Sequence, residues 1–343
     1  SRIDHSYLNV EKRENYLFNS TINNIEESDF IFLIGTNPRY EATILNARIR
    51  KSYLQNKTKI VSIGDLGDLT YPYTNLIGTS DVIKEIIEDR HEISKIIKNS
   101  KKPMIILGQS VLSLKSGKYI FESIKSYLKK NNKITDEWNS LNLIYENAAT
   151  IGSYDLGIYK TSDGYNSILK DLEDHKFEII YLLGQDSLKF KKQNEFIIYQ
   201  GSHGDAGAEI ADVILPGAAY TEQNGYYTNI EGKLQRAYKA SYPPGNAKED
   251  WQIINELAEL INHKKLFKDK EELESSMLNY VNLFRESNLT KKNSDINYLE
   301  FVSENVTTSK IDYYYSNVIA RASKTMSTCR NEKINKKITV NNN

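Results

Sequence analysis

Residues 30–64 read FIFLIGTNPRYEATILNARIRKSYLQNKTKIVSIG. Two short apolar runs, residues 30–34 and 59–63, each stop at a glycine and have the length and β-branched content of buried strands. Between them Gly35-Thr36-Asn37 turns the chain, and Pro38 suits the first helical position behind an Asn37 cap. Ala42, Leu45, Ile49 and Tyr53 then fall on one helical face, while Arg39, Arg50 and Lys51 lie off it and read as a solvated surface. Strand, helix and strand follow one another within about 35 residues, which is a βαβ unit. Such a unit demands a parallel strand pair and a right-handed crossover.

The same grammar recurs. Residues 103–108 (PMIILG) and 178–184 (EIIYLLG) are again apolar runs closed by glycine, and residues 195–199 read as a further strand. Helices are expected over 19–27 (capped by Ser20 or Thr21), 81–100, 117–130, 138–149 and 249–262. The last places Trp251, Ile254, Leu257, Ala258 and Ile261 on one side. Strands ending at Gly35, Gly64, Gly108 and Gly184 are the repeated unit of a doubly wound fold, and their irregular spacing excludes a solenoid. The expected fold class is therefore α/β, with mostly parallel sheets in two subdomains, 1–100 and 101–263. A helical extension with a partly disordered tail is expected over 264–343, residues 331–343 being the disordered part.

Residues 201–236 carry the most distinctive chemistry. Residues 210–215 read as a buried strand ended by Pro216-Gly217, residues 221–225 as a turn and 226–230 as a second strand. A strand flowing into a Gly- and Asn-rich loop is where open α/β sheets place ligands. The plainer alternative is a strand, a turn and a strand whose glycines only permit tight bends.

Composition narrows the functions. Lys+Arg and Asp+Glu are both 45, so the balance argues against a nucleic-acid surface. One cysteine, Cys329, excludes an internal disulfide and a four-cysteine iron–sulfur site. No apolar run approaches the ~20 residues of a membrane span, and residues 1–18 have neither signal- nor transit-peptide character. No G-x-G-x-x-G or P-loop follows any strand.

Individual candidates read as structural. His203 and Asp205 form a possible acid–base pair that adjacent loop residues rarely align, Glu222 and Glu231 flank a turn at no fixed separation, and Cys329 beside Arg330 is an ordinary thiol. His5, His91, His175 and His263 show no ligand spacing. No catalytic, cofactor-binding or metal residue is assigned.

Residues 199–235, YQGSHGDAGAEIADVILPGAAYTEQNGYYTNIEGKLQ, resemble the hallmark segment of the molybdopterin-oxidoreductase-like domain in the largest peripheral-arm subunit of respiratory complex I (NADH:ubiquinone oxidoreductase). Residues 30–78 are similar to that family's first subdomain, EDWQIINELAELI (249–261) to a later helix, and SNVIARASKTMSTC (316–329) to the tail of its mitochondrial members. The likeness runs from about Tyr16 to Cys329 and is weakest over 264–310. Two positions depart from it: Lys233 stands where an arginine is expected, losing a planar fork suited to phosphates, and Ser202 where a second histidine is common.

The resemblance implies a domain that keeps the fold and has lost its pterin cofactor. Gly35–Pro38 and Gly184–Asp186 sit where active relatives hold the dinucleotide phosphates, and they read here as structural. The implied role is a scaffold in the matrix-side arm of the complex at the mitochondrial inner membrane, beside flavin-binding and quinone-module subunits. The iron–sulfur clusters would lie in an amino-terminal half carried by a separate chain, which makes this one a fragment or a split-gene product. That half is expected to pack around residues 1–24 through Tyr7, Leu8, Tyr16, Leu17 and Phe18. Two other readings are an active molybdopterin-dependent oxidoreductase of formate dehydrogenase type and a free nucleotide-binding protein.

Overall fold

The computed structural model describes residues 8, 10, 12–158, 165–185, 188–287, 299–309 and 311–341. They divide into two compact units. The first comprises residues 1–164, 227–235 and 279–310; the second comprises residues 165–226, 236–278 and 311–343.

The first unit is built on a five-stranded sheet. Strands β1 (Phe30–Ile34), β2 (Lys59–Ile63), β3 (Thr74–Leu76), β4 (Pro103–Gly108) and β5 (Leu141–Ile144) lie in the order β3-β2-β1-β4-β5, every pair parallel. Alternate residues face opposite layers, as the twofold period of a strand requires. Phe30, Phe32, Ile34, Val61, Ile63, Ile105 and Leu107 join one apolar layer. Ile31, Leu33, Ile60, Met104 and Ile106 join the other.

Helices cover both faces. Helix α1 (Pro38–Glu41) starts at the expected Asn37 cap, whose side chain accepts from Arg39 N–H. Ala42 then interrupts the path, and α2 (Thr43–Asn56) sets Leu45 and Ile49 into the second layer. The first layer takes Val82, Ile83 and Ile86 of α3 (Asp81–Ile87), Ile93 and Ile97 of α4 (Glu92–Asn99), and Ile120, Phe121, Ile124 and Leu128 of α6 (Gly117–Lys130). Short helices α5 (Gln109–Leu112) and α7 (Thr150–Asp155) follow β4 and β5.

Several expectations change here. The helix expected over 138–149 is strand β5, because a four-residue buried run has no period to separate the two structures. Its polar member, Asn142, is fully buried and is satisfied by the Ser20 N–H and hydroxyl. The single helix over 81–100 is two, broken where Asp89 takes φ 61° and His91 caps α4 by accepting from Ile93 N–H. The helix expected over 19–27 is a 3-10 turn over Asn23–Glu27. Because β4 and β5 continue the first sheet, the first unit runs past residue 100.

The apolar residues assigned to a junction with another chain are instead core. Leu8, Tyr16, Leu17 and Phe18 are buried within the first unit. Phe18 N–H donates to Ile230 O at 2.7 Å and Leu143 N–H to Leu17 O at 3.2 Å, so the segment is knitted to β5 and to a hairpin tip. Tyr7 lies outside the described residues.

The second unit carries helix α8 (Tyr165–Glu173) and a parallel sheet of β6 (Ile179–Leu183), β7 (Phe196–Gly201) and β8 (Val213–Pro216), in that order. Short helix α9 (Ala206–Glu209) joins β7 to β8. Leu182, Ile197 and Tyr199 form its core. Strand β8 starts three residues later than expected and is not buried: Val213 is 38 % and Ile214 55 % exposed. It is an edge strand, which is why Pro216 can end inside it. Strands β9 (Gly225–Thr228) and β10 (Leu234–Ala237) pair in a ribbon.

Helix α10 (Asp250–Asn262) opens on a capping box between Glu249 and Gln252 and buries Ile253, Asn255 and Ala258. The buried face is thus rotated from the one expected, and Ile261 is 66 % exposed. Helix α11 (Lys270–Ser287) follows. After residues 299–309, which belong to no helix or named strand, come α12 (Val318–Ala322) and α13 (Lys324–Asn341). Residues 331–341 are therefore helical where disorder was expected. Arg330 anchors this helix, pairing with Asp312 at 2.6 Å and stacking over Tyr315.

Candidate functional site

In the first sheet the chain leaves β1 outward to β2 and β3, then returns to β4 and β5 on the other side. The crevice between the carboxyl ends of β1 and β4 is the topological switch point, where a doubly wound fold presents backbone N–H groups to a ligand. Here the Asn37 N–H at that crevice is already bound to the chain itself.

On the β1 side, Glu41 reaches back from α1. Its carboxylate accepts from Asn37 N–H and from the Thr36 hydroxyl, both at 2.8 Å. Burial pushes the Glu41 carboxyl above its usual range, and Glu146 adds to this, against the bonds from Asn37, Thr36 and Ser309. Asn37 is also tethered, its amide donating to Leu66 O at 2.9 Å.

On the β4 side, Ser110 Oγ stands 2.6 Å from Gly35 O and 2.5 Å from Thr307 O, so one proton is shared between two carbonyls. Thr307 belongs to the segment 299–309, which follows the carboxyl edge. The segment begins at the N-terminus of α6, where the Glu304 carboxylate accepts from Ser116 N–H at 3.0 Å and Lys115 N–H at 3.3 Å. Beside β2 and β3, Val306 N–H donates to Gly78 O at 2.8 Å and Ser80 N–H to Glu304 O at 2.8 Å. Val306 is itself buried. The segment ends where the Ser309 hydroxyl donates to Glu146, just beyond β5. The bonds from Ser116 and Lys115 hold Glu304 below the usual carboxylate range although desolvation opposes them.

The residues singled out from sequence do not converge. Among the described residues His203 bonds its neighbour Ser202 (2.9 Å), whereas Asp205 accepts from Ala206 N–H and pairs with Arg321 at 2.9 Å. Glu222 closes its own turn by accepting from Ala219 N–H, and Glu231 accepts from Ile22 N–H. Cys329 is exposed. His263 ends α10 in the left-handed conformation. His5 and Asp186 lie outside the described residues. Among the described residues no three His, Cys, Asp or Glu side chains form a metal-binding group. In the second unit a cleft of about 570 Å³ beside the end of β8 is lined by Leu215, Pro216, Lys248 and Glu256, and the last two neutralise each other at 2.6 Å.

His175 does have a partner. Its Nδ1 lies 2.5 Å from Glu195 Oε1, and Gln193 N–H donates to the other oxygen at 2.7 Å. The Gln193 N–H first, and His175 second, hold the Glu195 carboxyl down at about 2. A depressed carboxylate contributes stability above its unfolded value and loses it as pH falls through the folded one. The melting temperature should therefore drop between about pH 5 and pH 2, and Glu195→Gln should make that drop shallower. Identical pH profiles for the two proteins would contradict this.

Glu41, Glu304 and Ser116 were not singled out from sequence. Glu41 had a faint signal, four residues after the Asn37 cap. Glu304 had none, being 188 residues from Ser116.

Fold and edge together define a class: a doubly wound α/β protein of the kind that seats nucleotide cofactors at a switch point. Residues 2–260 match the family model for molybdopterin oxidoreductase, and the chain belongs to that family. It is 40 % identical over 328 residues to the NADH-ubiquinone oxidoreductase 75 kDa subunit of Reclinomonas americana, covering 94 % of this chain and 47 % of that protein. It is 37 % identical over 329 residues to an NADH-quinone oxidoreductase subunit of Rickettsia bellii (94 % and 46 %). It is 36 % identical over 337 residues to the mitochondrial NADH-ubiquinone oxidoreductase 78 kDa subunit of Candida albicans (92 % and 45 %). The chain thus spans about half the length of the curated relatives it matches.

The family name implies a pterin cofactor with phosphates, and the first unit's edge does not fit one. The donors that would meet phosphate oxygens, Asn37 N–H and Ser116 N–H, are bound to Glu41 and Glu304. Two carboxylates there would repel a phosphate, and residues 302–309 occupy the approach.

Proposed function

We propose that this chain is part of the peripheral arm of respiratory complex I and serves there as a scaffold that holds no cofactor of its own. The observation that carries the second half of this reading is the switch-point crevice filled by Glu41, Glu304 and residues 302–309. The first half is supported by relatives whose names are those of NADH-quinone and NADH-ubiquinone oxidoreductase subunits. With a single, exposed cysteine in the chain, iron–sulfur clusters of the assembly belong to other sequence. In this reading electrons pass through that other sequence and not through this chain.

No helix among the described residues is long and apolar enough to cross a membrane. In this reading the chain sits on the matrix side of the mitochondrial inner membrane, held by neighbouring subunits. The alternative of an active formate dehydrogenase-type enzyme is disfavoured by the occupied donors at the crevice.

Two measurements test the reading. Native gels stained for NADH dehydrogenase activity should contain this chain in the stained band. Elemental analysis of the purified chain should find no stoichiometric molybdenum or tungsten. Absence from the band would sink the complex I assignment, and a molar equivalent of either metal would sink the cofactor-free scaffold.

A further inference from the structure

The segment 301–309 meets the first unit as a ligand meets a binding edge. Phe301 packs on Tyr119 with ring centroids 5.1 Å apart, beneath the Lys84 ammonium. Ser116 Oγ donates to Val302 O at 2.6 Å and accepts from Val302 N–H at 3.1 Å. Helix α6 has no side-chain cap from its own cap residue, and the Glu304 carboxylate accepts from Ser116 and Lys115 N–H just ahead of its first turn, where the helix dipole favours a negative charge. Thr79 and Asn305 form an antiparallel bridge, Val306 is buried, and Thr307 O and the Ser309 hydroxyl complete a path across the ends of β2, β1, β4 and β5.

We propose that residues 301–309 are an intramolecular strap that takes the place of a bound ligand along this edge, and that the edge opens only when the strap leaves. The proposal rests on the cofactor-free reading of the first unit and deepens it. A crevice lined by backbone donors is costly to leave unfilled, because each buried group without a partner loses its hydration. A nucleotide would satisfy such donors only while bound; the strap satisfies the Ser80, Lys115 and Ser116 N–H groups permanently, with the Glu304 carboxylate as its own anion. The first unit then needs no small molecule to reach its native state.

The test uses the full chain and hydrogen exchange. The amides of Glu304 and Val306 should exchange as slowly as those of β1 and β4, since strap and sheet open together. Exchange of these two amides on the order of 100-fold faster than the sheet would overturn the proposal. A second arm supplies the strap in trans. The double variant Glu304→Ala, Val306→Ser should melt lower and bind a labelled peptide of sequence FVSENVTTS (residues 301–309) saturably, with recovery of the melting temperature, whereas the unmodified chain should not bind it. Equal binding by both proteins, or none by a destabilised variant, would overturn it.

Should the double variant not fold, Glu304→Gln serves instead. The amides of Lys115 and Ser116 should then exchange about tenfold faster with β1 unchanged, and no change would count against the strap. Molybdenum content separates the two claims. Stoichiometric metal with protected strap amides would remove only the cofactor-free reading, and a metal-free chain with unprotected strap amides would remove only the strap.

Discussion

Asp155→Ala should destabilise the first unit by about 3 kcal/mol, the lower end of the cost of breaking a buried ion pair. The Asp155 side chain is 5 % exposed and takes both arms of the Arg13 fork, Nε and Nη2, each at 2.9 Å. Tyr16 donates its hydroxyl to the same carboxylate at 2.8 Å. Arg13 Nη2 also donates to Gly232 O at 2.7 Å. Gly232 sits at φ 80°, and a Cβ there would fall 2.7 Å from that nitrogen. One carboxylate thus ties the start of the chain to α7 and, through Arg13, to a hairpin tip 219 residues away.

Burial pushes the Tyr16 phenol upward, and the Asp155 charge adds to it, so Tyr16 stays a donor across the physiological range. Alanine at 155 would leave a half-buried guanidinium without its counter-charge and a buried phenol without its acceptor. Asparagine keeps the size and one acceptor and should cost less. The two tryptophans lie in different units, so a Trp251→Phe background leaves Trp138 as the reporter of the first unit in urea unfolding. A loss below about 1 kcal/mol, the scale of a surface pair, would show that the cluster is decorative.

Gly108→Ala should cost about 3 kcal/mol, the upper end of overpacking, although the change adds a single methyl group. A Cβ on Gly108 would lie 1.9 Å from Gly35 O and 2.8 Å from Thr36 Cβ. Its nearest neighbours are backbone atoms of the adjacent strand's end, which cannot swing aside as a flexible side chain can. Relief requires β1 and β4 to separate at the switch point, and that would also pull Gly35 O from Ser110 Oγ and slacken the bond to Thr307 O. The same denaturation assay reads the effect, and hydrogen exchange should show protection lost first at the carboxyl ends of β1 and β4. A variant as stable as the parent would mean that these strand ends are free to part.

The glycine at 108 was legible as punctuation after an apolar run, and so were those at 35, 64 and 184. Local physics was enough there. A run of four to six apolar residues closed by glycine leaves few alternatives to a buried strand, and Asn37-Pro38 announces a helix start through its own cap and fixed φ. Where length and period gave no discrimination, reading failed: residues 141–144 suit either structure alone, and only pairing with β4 makes them a strand.

Residues 30–64 by themselves determined the parallel βαβ unit, and with it the alternation of apolar layers on both faces of a sheet. The motif at 199–235 determined the family, which residues 2–260 bear out. Tertiary structure alone decided that Leu8, Tyr16, Leu17 and Phe18 are core and not interface, because an apolar side chain has the same free energy of burial against its own chain or another's. It alone decided the fate of the crevice. Whether a helix end meets a phosphate or a glutamate depends on what the folded chain brings within 3 Å, and Glu304 reaches Ser116 across 188 residues that no local period connects.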